Sequence, residues 1–141
     1  MEISDVRKRV HETMARAKRR AAERRTAVDQ ASRDFETFLQ RTAVPLVRQI
    51  ANVLQADSYL FTVFTPSGGV RLMSGRSADD FIEIGLDTSG DAPRVMGHVT
   101  RSRGRRVVES EEVVGSGAPG AITEEELLEF LLRALEPFVE R

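Results

Sequence analysis

The chain of 141 residues contains no cysteine, and that absence removes disulfides, thiolate metal sites and cysteine nucleophiles together. Histidine is scarce as well: only His11 and His98 remain for metal or acid–base work. No apolar stretch approaches the ~18–20 residues that a membrane span requires, so no spanning segment is predicted. The first ten residues carry acid and no apolar run, unlike a secretory signal. A cysteine-free chain with no such signal is expected in the cytoplasm. Glycine first appears at Gly68 and proline at Pro45, so no helix breaker interrupts the opening segment.

What is present describes a globular protein with an appendage. A content of 40% hydrophobic and 30% charged residues excludes a disordered chain, and the length fits one domain plus an extension. The net charge of −1 conceals a polarity: residues 1–48 carry +5, residues 49–108 carry +1 and residues 109–141 carry −7. Such an asymmetry marks either an internal complement or a charged partner.

Residues 1 to about 40 read as one long helix dominated by Ala, Arg and Glu, all good helix formers. Two rows of residues repeat every seven positions. Ile3, Val10, Ala17, Arg24, Ala31 and Phe38 form one, and Arg7, Met14, Ala21, Val28, Phe35 and Thr42 the other. Together they make a heptad seam with a thin, alanine-rich middle. A helix of this length reaches ~55 Å, more than a domain of ~100 residues is wide, so it must project, fold back or find a partner.

Val44-Pro45 is the expected break, because proline disfavours helical geometry in the residue before it and suits a helix start. A short helix to about Gln55 should bury Leu46, Val47, Ile50 and Leu54. Alternating apolar residues then predict strands near 59–64, 70–74, 81–86, 94–101 and 106–114, with turns at residues 66–69 and around Gly104. Short connections favour an antiparallel meander over parallel pairing. Thr123 and Glu126 form a capping-box pair, with Ile122 and Leu127 at staple positions. The helix that follows is apolar round most of its circumference, so it should be buried against the sheet and something else besides, and Pro137 should end or kink it at Glu136. The expected fold is α+β. A long N-terminal helix (residues 1–42) precedes a compact domain (residues 43–141) with a four- or five-stranded antiparallel sheet packed by a short helix and a C-terminal helix. In element order alone this resembles the coiled-coil-plus-small-sheet adaptor domains of kinetochore subunits, and no residue carries over from them.

Signatures of catalysis are weak. Residues 115–120 match G-x-G-x-x-G between a strand and a helix, but Glu124, Glu125 and Glu126 open that helix where a pyrophosphate needs bare amides. No cofactor or metal site is expected. Asp79, Asp80, Glu83, Asp87 and Asp91 fit no metal spacing; Asp87 and Asp91 read as turn residues and Glu83 as the outward face of a strand. His98 has no second histidine at ligand spacing, and no G-x-S-x-G elbow marks a nucleophile.

Two basic features stand out. Residues 7–25 carry a net +7, and a predicted turn holds Arg101, Arg103, Arg105 and Arg106. No aromatic residue interleaves with either, so base stacking is not supported. Lys18, Arg20, Arg25 and Arg41 flank the seam, and a parallel in-register dimer would set Arg20 against Arg25 of its partner. An antiparallel pairing, a hairpin or an acidic partner fits better, and Glu109, Glu111, Glu112 and residues 124–126 offer an acidic surface within the same chain.

The expected function is therefore non-catalytic assembly. The chain would self-associate, or grip an acidic protein, through the seam of Val10, Met14, Ala17, Ala21, Val28, Ala31, Phe35 and Phe38. A second reading is sequence-indifferent nucleic-acid binding, with phosphate contacts from Arg16, Lys18, Arg19, Arg20, Arg24, Arg25, Arg101, Arg103, Arg105 and Arg106. A third, an enzyme, needs a concave pocket near His98 and residues 79–83.

Overall fold

The computed structural model describes residues 1–140; Arg141, the last residue of the expected domain, lies outside them. Helix α1 (Ile3–Phe38) passes through a π-helical turn (Leu39–Ala43) directly into α2 (Val44–Ala56). The expected break at Val44-Pro45 does not occur. Phe38, Leu39, Ala43 and Val44 all keep right-handed helical dihedrals, and the Val44 N–H donates five residues back to the Leu39 carbonyl. Proline disrupts a helix by lacking an N–H and by pressing its ring on the carbonyl four residues earlier. Widening the preceding turn relieves that pressure, so the axis continues.

The wide turn also sets the phase of the core. Phe35, Leu39, Ala43, Val47 and Ala51 are spaced by four and all buried. In a regular α-helix each step of four overshoots one turn by about 40°. A turn that holds more residues corrects the drift and returns all five to one face. The core thus draws on residues from Phe35 onward, and the π turn itself packs against the sheet and the C-terminal helix.

Five strands follow: β1 (Phe61–Phe64), β2 (Gly69–Ser74), β3 (Phe81–Asp87), β4 (Arg94–Arg103) and β5 (Arg106–Val113). Each pairs antiparallel with the next in the order β1-β2-β3-β4-β5, a meander as short connections dictate. Register aligns Val63, Leu72, Ile82 and Val99 in one row, and Val70, Ile84 and Gly97 in the next. Both rows belong to the core face. Helix α3 (Glu124–Val139) lies over β3 and β4, and α2 over β1 and β2. β5 is exposed along nearly its whole length, although Arg133 of α3 pairs with its Glu112.

Helix α3 starts where its capping box requires. The Glu126 N–H donates to Thr123 Oγ1 at 3.1 Å, and the Thr123 N–H donates to Glu126 Oε1 at 3.0 Å. Ile122 and Leu127, the staple pair, are both buried. The helix does not stop at Glu136 but runs through Pro137 to Val139. So close to the end, proline removes one bond, to the carbonyl of exposed Arg133, which solvent can satisfy.

Phe130 reaches the sheet because Gly97 has no side chain: a Cβ there would lie 2.6 Å from Phe130 Cε2. Gly97→Ala should cost about 1–3 kcal/mol by overpacking. Gly85→Ala, where a Cβ meets nothing within 4 Å, should leave the denaturation midpoint almost unchanged. Thr123→Ala should cost about 1 kcal/mol through loss of the cap. Urea unfolding of the three variants checks these expectations.

Candidate interaction surfaces

The predicted seam is split between two environments. Val10, Met14, Ala17 and Ala21 are exposed on the free part of α1; Val28 and Ala31 are half-buried at its base; Phe35 and Phe38 are buried in the core, with ring centroids 6.2 Å apart. Residues 1–27 are exposed without interruption. Within this rod Ile3, Val6, Val10, Met14, Ala17 and Ala21 fall in an arc of about 80° at 3.6 residues per turn. Ile3 is 80% exposed, and Val6, Val10 and Met14 between 44% and 50%. Met1, Val6, Val10 and Met14 line a shallow concavity of ≈ 300 Å³ walled by Arg9 and Thr13.

Charge borders this stripe on both sides. The same helical geometry sets Arg7, Lys18 and Arg25 along one edge and Arg20 with Glu2 along the other, while Arg9 and Arg16 lie farther round, next to Asp5, Glu12 and Glu23 on the far side. The candidate phosphate contacts Arg16, Lys18, Arg19, Arg20, Arg24 and Arg25 are all exposed. No ion pair among the described residues involves a basic residue of 7–25; the pairs are Arg71–Glu83, His98–Glu109, His98–Glu111 and Arg133–Glu112. The acidic surface of the same chain does not neutralise the rod in this structure.

Arg103, Arg105 and Arg106 are exposed at the β4–β5 hairpin tip, Arg101 is half-buried behind it, and Gly104 makes the turn at φ +65°. Arg101 and Arg103 share a wide cleft of ≈ 590 Å³ with Pro137 and Glu140 at the end of α3. The rod joins the domain at the opposite end of that helix, where Asp34, Thr37 and Arg41 meet Pro119, Gly120 and Ile122. The root of the rod and the arginine hairpin thus lie at opposite ends of α3, about 24 Å for 16 residues, and the basic segment 7–25 begins a further nine residues out along the rod.

The remaining candidates have structural partners. Residues 115–120 form a strand-to-helix loop with Gly115 at φ +55° and Gly117 at φ +83°. The Glu126 Cδ stands 3.0 Å from where a Cβ on Gly115 would be. A carboxylate therefore fills the space that a phosphate would need. Asp80 is buried, and its Oδ1 accepts from the Ser102 N–H at 2.7 Å and the Ser102 hydroxyl at 2.9 Å. Asp87 begins the β3–β4 turn. Ser89 donates its hydroxyl and then its N–H to the Asp87 carboxylate, which lowers the Asp87 pKa. Asp79 and Asp91 are exposed, and among the described residues no cluster of His, Asp and Glu could hold a metal ion.

The face of the sheet away from the helices carries a ladder that sequence reasoning did not find. The Arg71 guanidinium lies 4.0 Å from the Phe81 ring centroid and pairs with Glu83 at 3.1 Å. Phe81 stacks on His98 at 6.1 Å, and His98 meets Glu111 at 3.1 Å. The signal was the register itself: Arg71, Glu83, His98 and Glu111 are directly opposed across four strands. These groups lie on the open face of the sheet, outside the cleft at Arg101 and Arg103 and the concavity at Met1, Val6, Val10 and Met14.

The C-terminal helix departs from expectation in its cover. Leu127, Phe130, Leu131, Leu135 and Phe138 are buried, but Leu128 is only half-buried and Leu132 is 53% exposed. Among the described residues nothing covers Leu132.

Removing residues 1–27 should shift the unfolding free energy by less than about 0.5 kcal/mol, since none of them enters the core. Phe35→Ala should cost about 3–5 kcal/mol. Urea titration of the two variants separates the rod from its root.

No helix of the described chain is long and apolar enough to cross a membrane. Comparison with known protein families, curated proteins and solved structures gives no match, so what this chain does is inferred from its own surfaces.

Proposed function

We propose that the protein is a non-catalytic assembly module that associates through the free part of α1. One observation carries this reading: the stripe Ile3, Val6, Val10, Met14, Ala17, Ala21 stands in solvent on a helix that the rest of the chain does not cover. Each of the four larger side chains recovers roughly 1 kcal/mol when its exposed part is buried, whereas an exposed ion pair contributes ~0.2–1 kcal/mol. The stripe supplies affinity, and the bordering arginines select an acidic partner and its orientation.

A second reading rests on the exposed net +7 of residues 7–25, which suits a polyphosphate backbone. The absence of aromatic residues from the rod and the distance to the arginine hairpin favour the first reading.

Solution mass across concentration, at low and high salt, with and without duplex DNA, tests both. The expected result is a mass above one chain that falls on dilution and persists at moderate salt without DNA. Val10→Asp with Met14→Asp should give a single-chain mass and an unchanged thermal transition. A single-chain mass at every concentration would defeat self-association, and salt-sensitive binding to duplex DNA would favour the second reading.

A further inference from the structure

We infer that the outward face of α3 on a second copy is the surface that receives the rod. This rests on the assembly reading above and names its docking site. The face is built from Leu128 and Leu132, one turn apart, with Glu125, Glu129 and Glu136 beside them at i, i+4 and i+11. All three glutamates are exposed, and none is paired in the ion pairs of the described residues. A helix that exposes a leucine beside a row of acid is complementary to one that exposes an apolar stripe beside a row of basic residues.

Lengths agree. The stripe from Ile3 to Ala21 spans about 27 Å, and α3 about 24 Å. Rod-to-rod pairing lacks this match in either direction. A parallel pair opposes Arg20 to Arg25 of the partner. An antiparallel pair that stacks Ala17 on the partner's Ala21 brings Lys18 to Lys18 and Arg20 to Arg20 across the two-fold axis. Docking on α3 instead sets its row of glutamates against one basic edge of the rod. Two chains that exchange rods in this way form a closed assembly, because each copy both gives and receives.

A charge exchange tests the site. One variant reverses the rod (Lys18→Glu with Arg25→Glu); the other reverses the helix face (Glu129→Arg with Glu136→Arg). All four positions are exposed, so folding should be retained, and circular dichroism with thermal melting checks it. Each variant alone should self-associate at least about tenfold more weakly than the parent by sedimentation velocity. An equimolar mixture should recover the parent affinity, since each reversed rod then meets a reversed face. Parent-like association of the helix-face variant alone would overturn the site while leaving rod-mediated assembly intact. A parent chain that never associates would overturn the assembly reading itself. Failure of the mixture to recover, with both variants folded, would also exclude the site.

Discussion

The continuity of one helix across two environments governs this structure. From Ile3 to Ala56 the backbone never leaves helical geometry, yet its first half stands in water and its second half lies on a sheet. The π turn at Leu39–Ala43 makes both compatible. It accommodates Pro45 without a break and rotates the helix so that Phe35, Leu39, Ala43, Val47 and Ala51 share one buried face. If the chain broke there, the rod could hinge or fold back over its own stripe. With the turn intact, the stripe is carried away from the domain on a stiff arm, and its exposure follows from the fold.

Exposure of this kind is costly unless it is used. Apolar side chains in a row attract whatever can cover them, and on the proposed reading the basic residues bordering the stripe favour an acidic cover. The sheet and its two helices leave one outward helix face on which Leu132 and the glutamates beside it stand exposed, and in the proposed assembly this face and the rod are the two halves of one contact. In the proposed assembly the charge polarity along the sequence, basic at the start and acidic at the end, would act in trans, since no ion pair among the described residues involves the basic residues of the rod.

Much of the fold was legible because the chemistry that specifies it is local. Alternation of apolar residues and short turns define five strands, and Thr123 with Glu126 marks the start of α3 to the residue. The π turn was harder to see, because a proline preceded by Val44 carries the ordinary signature of a helix boundary. The clue was a run of buried positions spaced by four from Phe35 to Ala51, a period that neither heptad nor regular helix sustains. Pro137 misled for a related reason: near a helix end the lost bond falls on an exposed carbonyl. For the interaction surfaces, the heptad rows identified the exposed stripe from Val10 to Ala21 but also included Phe35 and Phe38, whose periodicity serves the domain's own core. Amphipathic pattern tells which face is apolar, and only the tertiary structure tells what covers it.

The central claim, a single stiff helix that carries an uncovered stripe away from the domain, is open to a direct distance measurement. The chain has no native cysteine, so Lys18→Cys with Val53→Cys, both at exposed positions, can be spin-labelled without interference. Labelled protein diluted into excess unlabelled protein should give one narrow inter-label distance of about 50 Å, the rise of 35 helical residues. A broad distribution, or a dominant distance below about 40 Å, would mean that the helix breaks at Pro45 or folds back, and would contradict the account.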